Sequence, residues 1–216
     1  LNMAIMEMKG EWFAWLSHDD LYKQNKIQRQ IDLLNKLIEK NRNIDLAKTA
    51  LYGAAETINV SGMIVKKKLY FIQEHKSKLD MILDNVKKYS IGGCAVLIPR
   101  LAFADVGFFD TSKQTVQDAD FWFRMILKGY DFYFLNERLV QNRAHKGQTG
   151  KKKAWLFNKE QQEHQIALTK ELWEIEEYRK WIIFWKLGCY QTKRMFPKAA
   201  AVSFGYAKQL MNPMFY

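Results

Sequence analysis

The chain has 216 residues, 48% of them hydrophobic and 14% aromatic, which excludes disorder and supports the core of one large domain or two small ones. Lys and Arg number 34 against 23 Asp and Glu, and the formal charge of +11 favours an anionic partner such as a nucleotide, phospholipid headgroups or nucleic acid. The longest apolar runs, Trp181–Trp185 and Cys94–Ile98, are far short of the roughly 20 residues that span a bilayer, no secretory leader is recognisable, and two widely separated cysteines, Cys94 and Cys189, fit a reduced, cytoplasmic setting.

The first strand is expected at Trp12–Leu16, an uncharged aromatic and aliphatic run suited to burial on both faces of a sheet. Ser17, His18, Asp19 and Asp20 would emerge at its carboxyl end, where ligands gather in open α/β sheets. Ile27, Ile31, Leu34, Leu37 and Ile38 recur at helical spacing and predict a helix over Asn25–Lys40. Asp45–Val65 reads as a hairpin or a pair of short strands turning at Asn59–Gly62, and Ser77–Lys88 as a second helix. A glycine pair, Gly92-Gly93, leads into a buried strand ending at Pro99; such a pair either lets backbone approach a ligand closely or makes a simple turn.

A short helix over Arg100–Val106 precedes a second acidic one, Gln117–Lys128, ended by Gly129. Asp131–Leu135 and Arg138–Gln141 are expected as two short strands. After Gly150 the β pattern fades, and one long helix over Ala154–Leu187 and another over Pro197–Met211 are predicted. The division is therefore a domain over 1–150 and a helical extension over 151–216. Trp173, Trp181 and Trp185 on the long helix are expected either to pack in the interior or to face a membrane interface. Two lysine triplets, Lys66–Lys68 and Lys151–Lys153, read as solvated faces in preference to specific anion sites.

Three polar clusters fall at loops beside these elements: Ser17–Asp20, Gln117–Asp120, and Arg143-Ala-His145 with Gln148. An Asp at a helix start is commonly an N-cap and a lone His a surface residue. Their order around a glycine pair suits a metal, a diphosphate and a general base.

The ordered set resembles the inverting family-2 glycosyltransferases of GT-A fold. The resemblance runs from Leu1 to Gly150. It is carried by Gly10-Glu-Trp12, Ser17-His-Asp-Asp20, Tyr22 and Asn25-Lys-Ile27, then by Gly93, Ile98, Phe103, Val106-Gly107 and Phe109-Asp110. Gln117-Asp-Ala-Asp-Phe-Trp-Phe-Arg124, Arg143-x-His145 and Gln148 complete it. It implies an α/β, GT-A-like mixed sheet with flanking helices and a C-terminal helical tail. The family's first nucleotide-binding strands are expected to precede Leu1, so the chain is read as truncated at its amino end and impaired alone.

By the same resemblance the function is transfer of a sugar, with inversion, from a nucleotide-sugar to a saccharide or lipid-linked acceptor in envelope polysaccharide assembly. Asp19 matches the DxD-type ligand of a divalent cation, Mg²⁺ or Mn²⁺, with His145 beside it. Asp118 matches the catalytic base, and Asp20 is expected to cap the following helix or orient a sugar. His18, Asp20, Gly93 and Arg143 are expected around the donor, Trp122 and Asp120 around the acceptor. Ser17 stands where the family has its first acid, and Gln117 where it has Glu. Asp19, Asp118 and His145 are expected to converge at one sheet edge, within about 10 Å of one another around a metal and a diphosphate. The helical tail is expected to allow peripheral contact at the inner face of a membrane. The competing class is a basic anion-binding module without catalysis, but the scattered Lys and Arg argue against nucleic acid.

Overall fold

The computed structural model describes residues 1–41, 43–67, 77–88, 91–148 and 152–211. In chain order these form α1 (Asn2–Met6), β1 (Trp12–Phe13), β2 (Leu21–Tyr22), α2 (Lys26–Lys40), β3 (Thr49–Ile58), β4 (Ile64–Lys67), α3 (Lys78–Lys88) and β5 (Val96–Pro99). There follow α4 (Leu101–Asp105), α5 (Gln117–Leu127), β6 (Asp131–Arg143), α6 (Ala154–Glu174), α7 (Trp181–Lys193) and α8 (Pro197–Met211). Lys68 and Lys151 of the two lysine triplets, and Gly150 at the expected domain boundary, lie outside the described residues.

A mixed sheet runs in the order β1-β5-β3-β6-β2, with β4 added to β3. Its centre is β3, which is buried along most of its length, pairs antiparallel with β5 and parallel with β6, and turns into β4 at Asn59–Gly62. The Asn59 side chain accepts from the backbone N–H groups of Ser61 and Met63, and Gly62 takes the positive φ of 83° that the turn requires.

Three expected elements differ. The first strand pairs only over Trp12–Phe13, opposite Pro99 and Ile98. Beyond it the chain leaves the sheet as Trp15 turns inward onto Trp122 and Phe109, ring centroids 6.0 and 5.4 Å away. The two short strands after Gly129 are one strand, β6, whose register against β3 slips at Gly53 and Ala54. A Cβ on Gly53 would lie 2.6 Å from Leu139, so glycine makes room for the bulge. The long helix is broken into α6 and α7 by a short 3₁₀ turn at Glu176–Tyr178, where Arg179 donates back to the Trp173 carbonyl.

The extension packs into the same interior as the sheet. Leu168, Leu172, Ile183, Phe184 and Leu187 share one apolar cluster with Met81, Ile82, Trp122 and Phe132. Trp173 belongs to that interior, stacked on Tyr206 at 4.2 Å, whereas Trp181 and Trp185 are 44% and 48% exposed. Among the described residues no helix is long and apolar enough to cross a membrane.

Candidate active site

The site forms where three segments meet: the loop Ala14–Asp20 after β1, the turn Gly92–Ala95 before β5, and the amino end of α5. Trp15 lies directly over Gly93, and a Cβ there would come within 2.1 Å of the indole, so the glycine serves close packing of two chain segments. Gly92 has open space in the same position and carries no such constraint. Cys94, next in sequence, takes hydrogen bonds from the Ser17 backbone N–H at 3.3 Å and faces Asp20 Oδ2 at 3.7 Å.

Asp20 does not cap α2, whose N-cap residue is Asn25. It accepts from the Arg143 backbone N–H at 2.9 Å and so ties the loop after β1 to the end of β6. Burial pushes its carboxyl above the ordinary range. Arg143 reinforces the tie, because its guanidinium donates to the backbone carbonyls of Asp19, Asn59 and Val60. Arg143 thus ties the Asp19 turn to the Asn59–Gly62 turn through backbone acceptors.

His145 reaches Asp19, Nε2 to Oδ2 at 2.7 Å, and this hydrogen bond is the main reason the Asp19 carboxyl lies below its ordinary range. The tautomer follows from the other nitrogen: Gly147 N–H donates to Nδ1 at 3.1 Å, which leaves the proton on Nε2 facing the carboxylate. Among the described residues no group of three or more His, Cys, Asp or Glu gathers as a ready-made metal cage. Asp19, 23% exposed, suits a cation that keeps phosphate oxygens and water as its other ligands. Ligation through His145 Nε2 would require the Gly147 N–H to turn away, so as arranged the imidazole orients the carboxylate. His18 is exposed on the turn beside this pair.

Asp118 is in the first turn of α5 and accepts from the Ala119 N–H at 2.8 Å. It is half-buried, and its side chain lines a cavity of about 530 Å³ that also meets Ser17, Asp20, Gly93, Trp122 and Asn142. Burial pushes its carboxyl above the ordinary range, against the hydrogen bonds from Ala119 and Gly93 that favour the charge. Asp120 points elsewhere: it pairs with Lys113 and Arg124, and Arg124 in turn donates to the carbonyls of Val106 and Phe108. It braces α5 and does not line the cavity.

The structure therefore brings Asp20, Gly93, Asp118 and Trp122 around one cavity, with the Asp19–His145 pair on the adjoining turn and Arg143 beneath it. Sequence reasoning missed the cavity's far wall, which comes from α6: Phe157, Gln161, His164, Gln165 and Leu168. The available signal was Gln161, His164, Gln165 and Leu168 at helical spacing, a polar stripe on the face that packs inward. Glu160 positions this wall. Its carboxylate accepts from the backbone N–H groups of Gln114 and Thr115 and from the Thr115 hydroxyl, latching α6 to the loop that leads into α5.

In three dimensions the chain has the mixed α/β fold of S. aureus TarS. It superposes on TarS residues 1–349, solved in complex with UDP-GlcNAc, with a TM-score of 0.59 and 10% identity, over 100% of this chain and 72% of that one. A second TarS crystal structure gives a TM-score of 0.54 at 12% identity over 90% of this chain and 30% of the other. In sequence the chain is similar to curated proteins described as uncharacterized glycosyltransferases. One from Rickettsia typhi is 40% identical over 153 residues, 69% of this chain and 44% of the relative. One from Rickettsia bellii is 33% identical over 220 residues, 98% of this chain and 30% of the relative. The chain thus spans less than half the length of these relatives. No protein-family model matches it.

Proposed function

We propose that this chain carries the acceptor-side catalytic centre of an inverting glycosyltransferase of GT-A type that moves a sugar from a nucleotide-sugar to a saccharide or lipid-linked acceptor. The observation that carries the reading is Asp118: a half-buried carboxylate, its basicity raised by desolvation, lining a cavity large enough for a sugar. A base so placed removes the acceptor hydroxyl proton as that oxygen attacks the anomeric carbon. Asp19, oriented by His145, would hold Mg²⁺ or Mn²⁺ at the donor diphosphate. The chemistry a bound cation supplies is neutralisation of the charge on the leaving group. Asp20 and Arg143 shape the donor-side turns, and Trp122 forms the floor between donor and acceptor. The TarS complex with UDP-GlcNAc and the names of the Rickettsia relatives support a nucleotide-sugar donor. Exposed Trp181, Ile182 and Trp185 on α7 support contact with the surface of a membrane that bears a lipid-linked acceptor.

The test is Mn²⁺-dependent turnover across a panel of UDP-, GDP- and dTDP-sugars. Asp118→Asn is expected to lower turnover by about 10²–10⁴-fold while nucleotide binding persists. Asp19→Ala is expected to remove the Mn²⁺ dependence of nucleotide binding. Because burial raises the Asp118 carboxyl, the base loses its charge as the pH falls through a value above the ordinary carboxylate pKa of about 4, and the acid limb of the rate profile belongs there. If both variants bind and turn over every nucleotide-sugar as the parent does, the reading fails.

A further inference from the structure

The β3–β4 hairpin leaves the core within two residues: Ile58 is fully buried, whereas Val60 at the turn is 69% exposed. Met63, Ile64 and Val65 on the return are 63%, 44% and 57% exposed, so four apolar side chains of one hairpin stand in solvent. Such a cluster marks an interaction surface, because apolar area facing water is unfavourable until something covers it. The turn holds these residues in place. The Asn59 N–H donates to the Met63 carbonyl at 2.9 Å, and the Gly62 N–H donates to the Asn59 carbonyl at 3.0 Å. Register passes from Thr57 opposite Lys66 to Ile58 opposite Ile64, which leaves Val65 as the extra residue of a bulge that twists the edge.

Charge selects the partner. Thr57–Lys67 contains no Asp or Glu, and Lys66 and Lys67 follow the apolar residues directly. Lys146 is exposed on the turn after β6, beside the hairpin, where the Ala144 N–H donates to the Ile58 carbonyl at 2.7 Å. The carboxylates of the adjoining strand and turns are engaged: Glu56 with Lys23 and Gln141, Asp20 with the Arg143 N–H, and Asp19 with His145. An apolar tip beside lysines fits the headgroup layer of an anionic bilayer, where the side chains leave water and the ammonium groups meet phosphate. It fits a further strand less well, since lysines along an edge oppose strand addition.

We propose that the β3–β4 hairpin enters the surface of an anionic membrane and sets the Asp19–His145 turn against it. The coupling between tip and turn is direct. The Arg143 guanidinium donates to the Asn59 and Val60 carbonyls at 3.1 and 3.0 Å and to the Asp19 carbonyl at 3.0 Å, so one side chain joins the two. An acceptor headgroup anchored in that bilayer then meets the site by diffusion in two dimensions. This deepens the proposed function and rests on it only for the lipid-linked acceptor; the membrane surface stands on the hairpin. It is a contact additional to the exposed indoles of α7 and is carried by a different element. Because the turn is already fixed, little ordering opposes its insertion.

The experiment is sedimentation of the whole chain with phosphatidylcholine vesicles, with and without phosphatidylglycerol, together with hydrogen exchange of the Asn59–Lys67 segment. UDP with Mn²⁺ is titrated in parallel. The chain is expected to prefer the vesicles that contain phosphatidylglycerol, and exchange in the hairpin is expected to slow on them. Val60→Ser with Met63→Ser is expected to weaken binding about tenfold or more. Both side chains are exposed and lie outside β3 and β4, so the melting temperature should not change. Lys66→Gln with Lys67→Gln is expected to weaken binding by about 10–30-fold, the contribution of two lysines at an anionic surface. The proposal is overturned if no vesicle binds, if neutral vesicles bind as well, if exchange in the hairpin is unchanged, or if both double variants sediment as the parent does. It is also overturned if the chain self-associates and Val60→Ser with Met63→Ser abolishes that association, which would make the hairpin a contact between copies. If vesicle binding depends on the hairpin while UDP does not bind, the membrane surface stands and the glycosyltransferase reading falls. If UDP binds and the hairpin variants leave vesicle binding unchanged, the surface alone falls.

Discussion

Lys26 opens α2 from the interior, 1% exposed, with its ammonium on Gln30 at 2.8 Å and over the Tyr22 ring at 4.5 Å. No carboxylate pairs with it among the described residues, and burial lowers its pKa from 10.5 to about 8. The folded state therefore binds this proton less tightly than the unfolded chain. Below about pH 8 the folded protein bears the whole penalty, about 3 kcal/mol for such a shift, and between about 8 and 10 the penalty fades as the folded lysine loses its charge first. Lys26→Met removes the charge at every pH. Its stability relative to the parent, measured by urea unfolding, is expected to be most favourable at pH 7 and to decline by about 2–3 kcal/mol towards pH 10. A difference that is flat with pH would mean that the ammonium is not desolvated. The residues around it show why the position holds an amine: Gln30 spans from Lys26 to the carbonyls of Leu51 and Ala95, so the pair links helix, central strand and the Gly92–Ala95 turn.

At the scale of elements, α7 divides its aromatic residues between two environments. Ile183, Phe184 and Leu187 face the interior, while Trp181, Ile182 and Trp185 are exposed beside Lys180 and Lys186. Indole rings beside lysines suit the headgroup level of an anionic bilayer. Sedimentation with vesicles containing anionic phospholipid is expected to pull down the chain. Trp181→Ala with Trp185→Ala is expected to weaken that binding about tenfold without changing nucleotide affinity; equal sedimentation of the double variant would rule the surface out.

The same helix shows which features local sequence encodes. The spacing of Ile27, Ile31 and Leu34 and the glycine stop at Gly129 are local, and α2 and α5 lie where these features predict them. The break between α6 and α7 is not local. Glu174-Ile-Glu-Glu-Tyr-Arg contains no Pro or Gly, and the chain turns there because Trp173 is drawn onto Tyr206 and Arg179 closes on the Trp173 carbonyl. Likewise Asn136 and Glu137 look like a gap between strands, but Gly53 on the neighbouring strand leaves room for the bulge, and Arg29 holds Glu137 from α2. The site divides in the same way. Asp19, Asp118, Trp122 and His145 stand in a recognisable order, whereas Gln161 and His164 acquire meaning only when α6 is laid against the amino end of α5.

For the whole molecule, the extension decides whether the site exists as a cavity at all. Removing α6 to α8 would strip Leu168, Leu172, Ile183, Phe184 and Leu187 from the cluster that covers Met81, Ile82 and Trp122. Burial of one such side chain contributes about 1.5–3 kcal/mol, so the five together, about 7.5–15 kcal/mol, are comparable to the net stability of a typical domain, about 5–15 kcal/mol. The Glu160 latch on Gln114 and Thr115 would go as well, and with it the support for the first turn of α5 that bears Asp118. A chain ending at Gln148 is therefore expected to lose its cooperative melt in circular dichroism and to bind a hydrophobic dye at room temperature. If that shortened chain instead melts cooperatively within about 5 °C of the full one, a loss of no more than about 1–2 kcal/mol, the helices are a separable domain. Asp118 would then owe its raised basicity to the sheet alone.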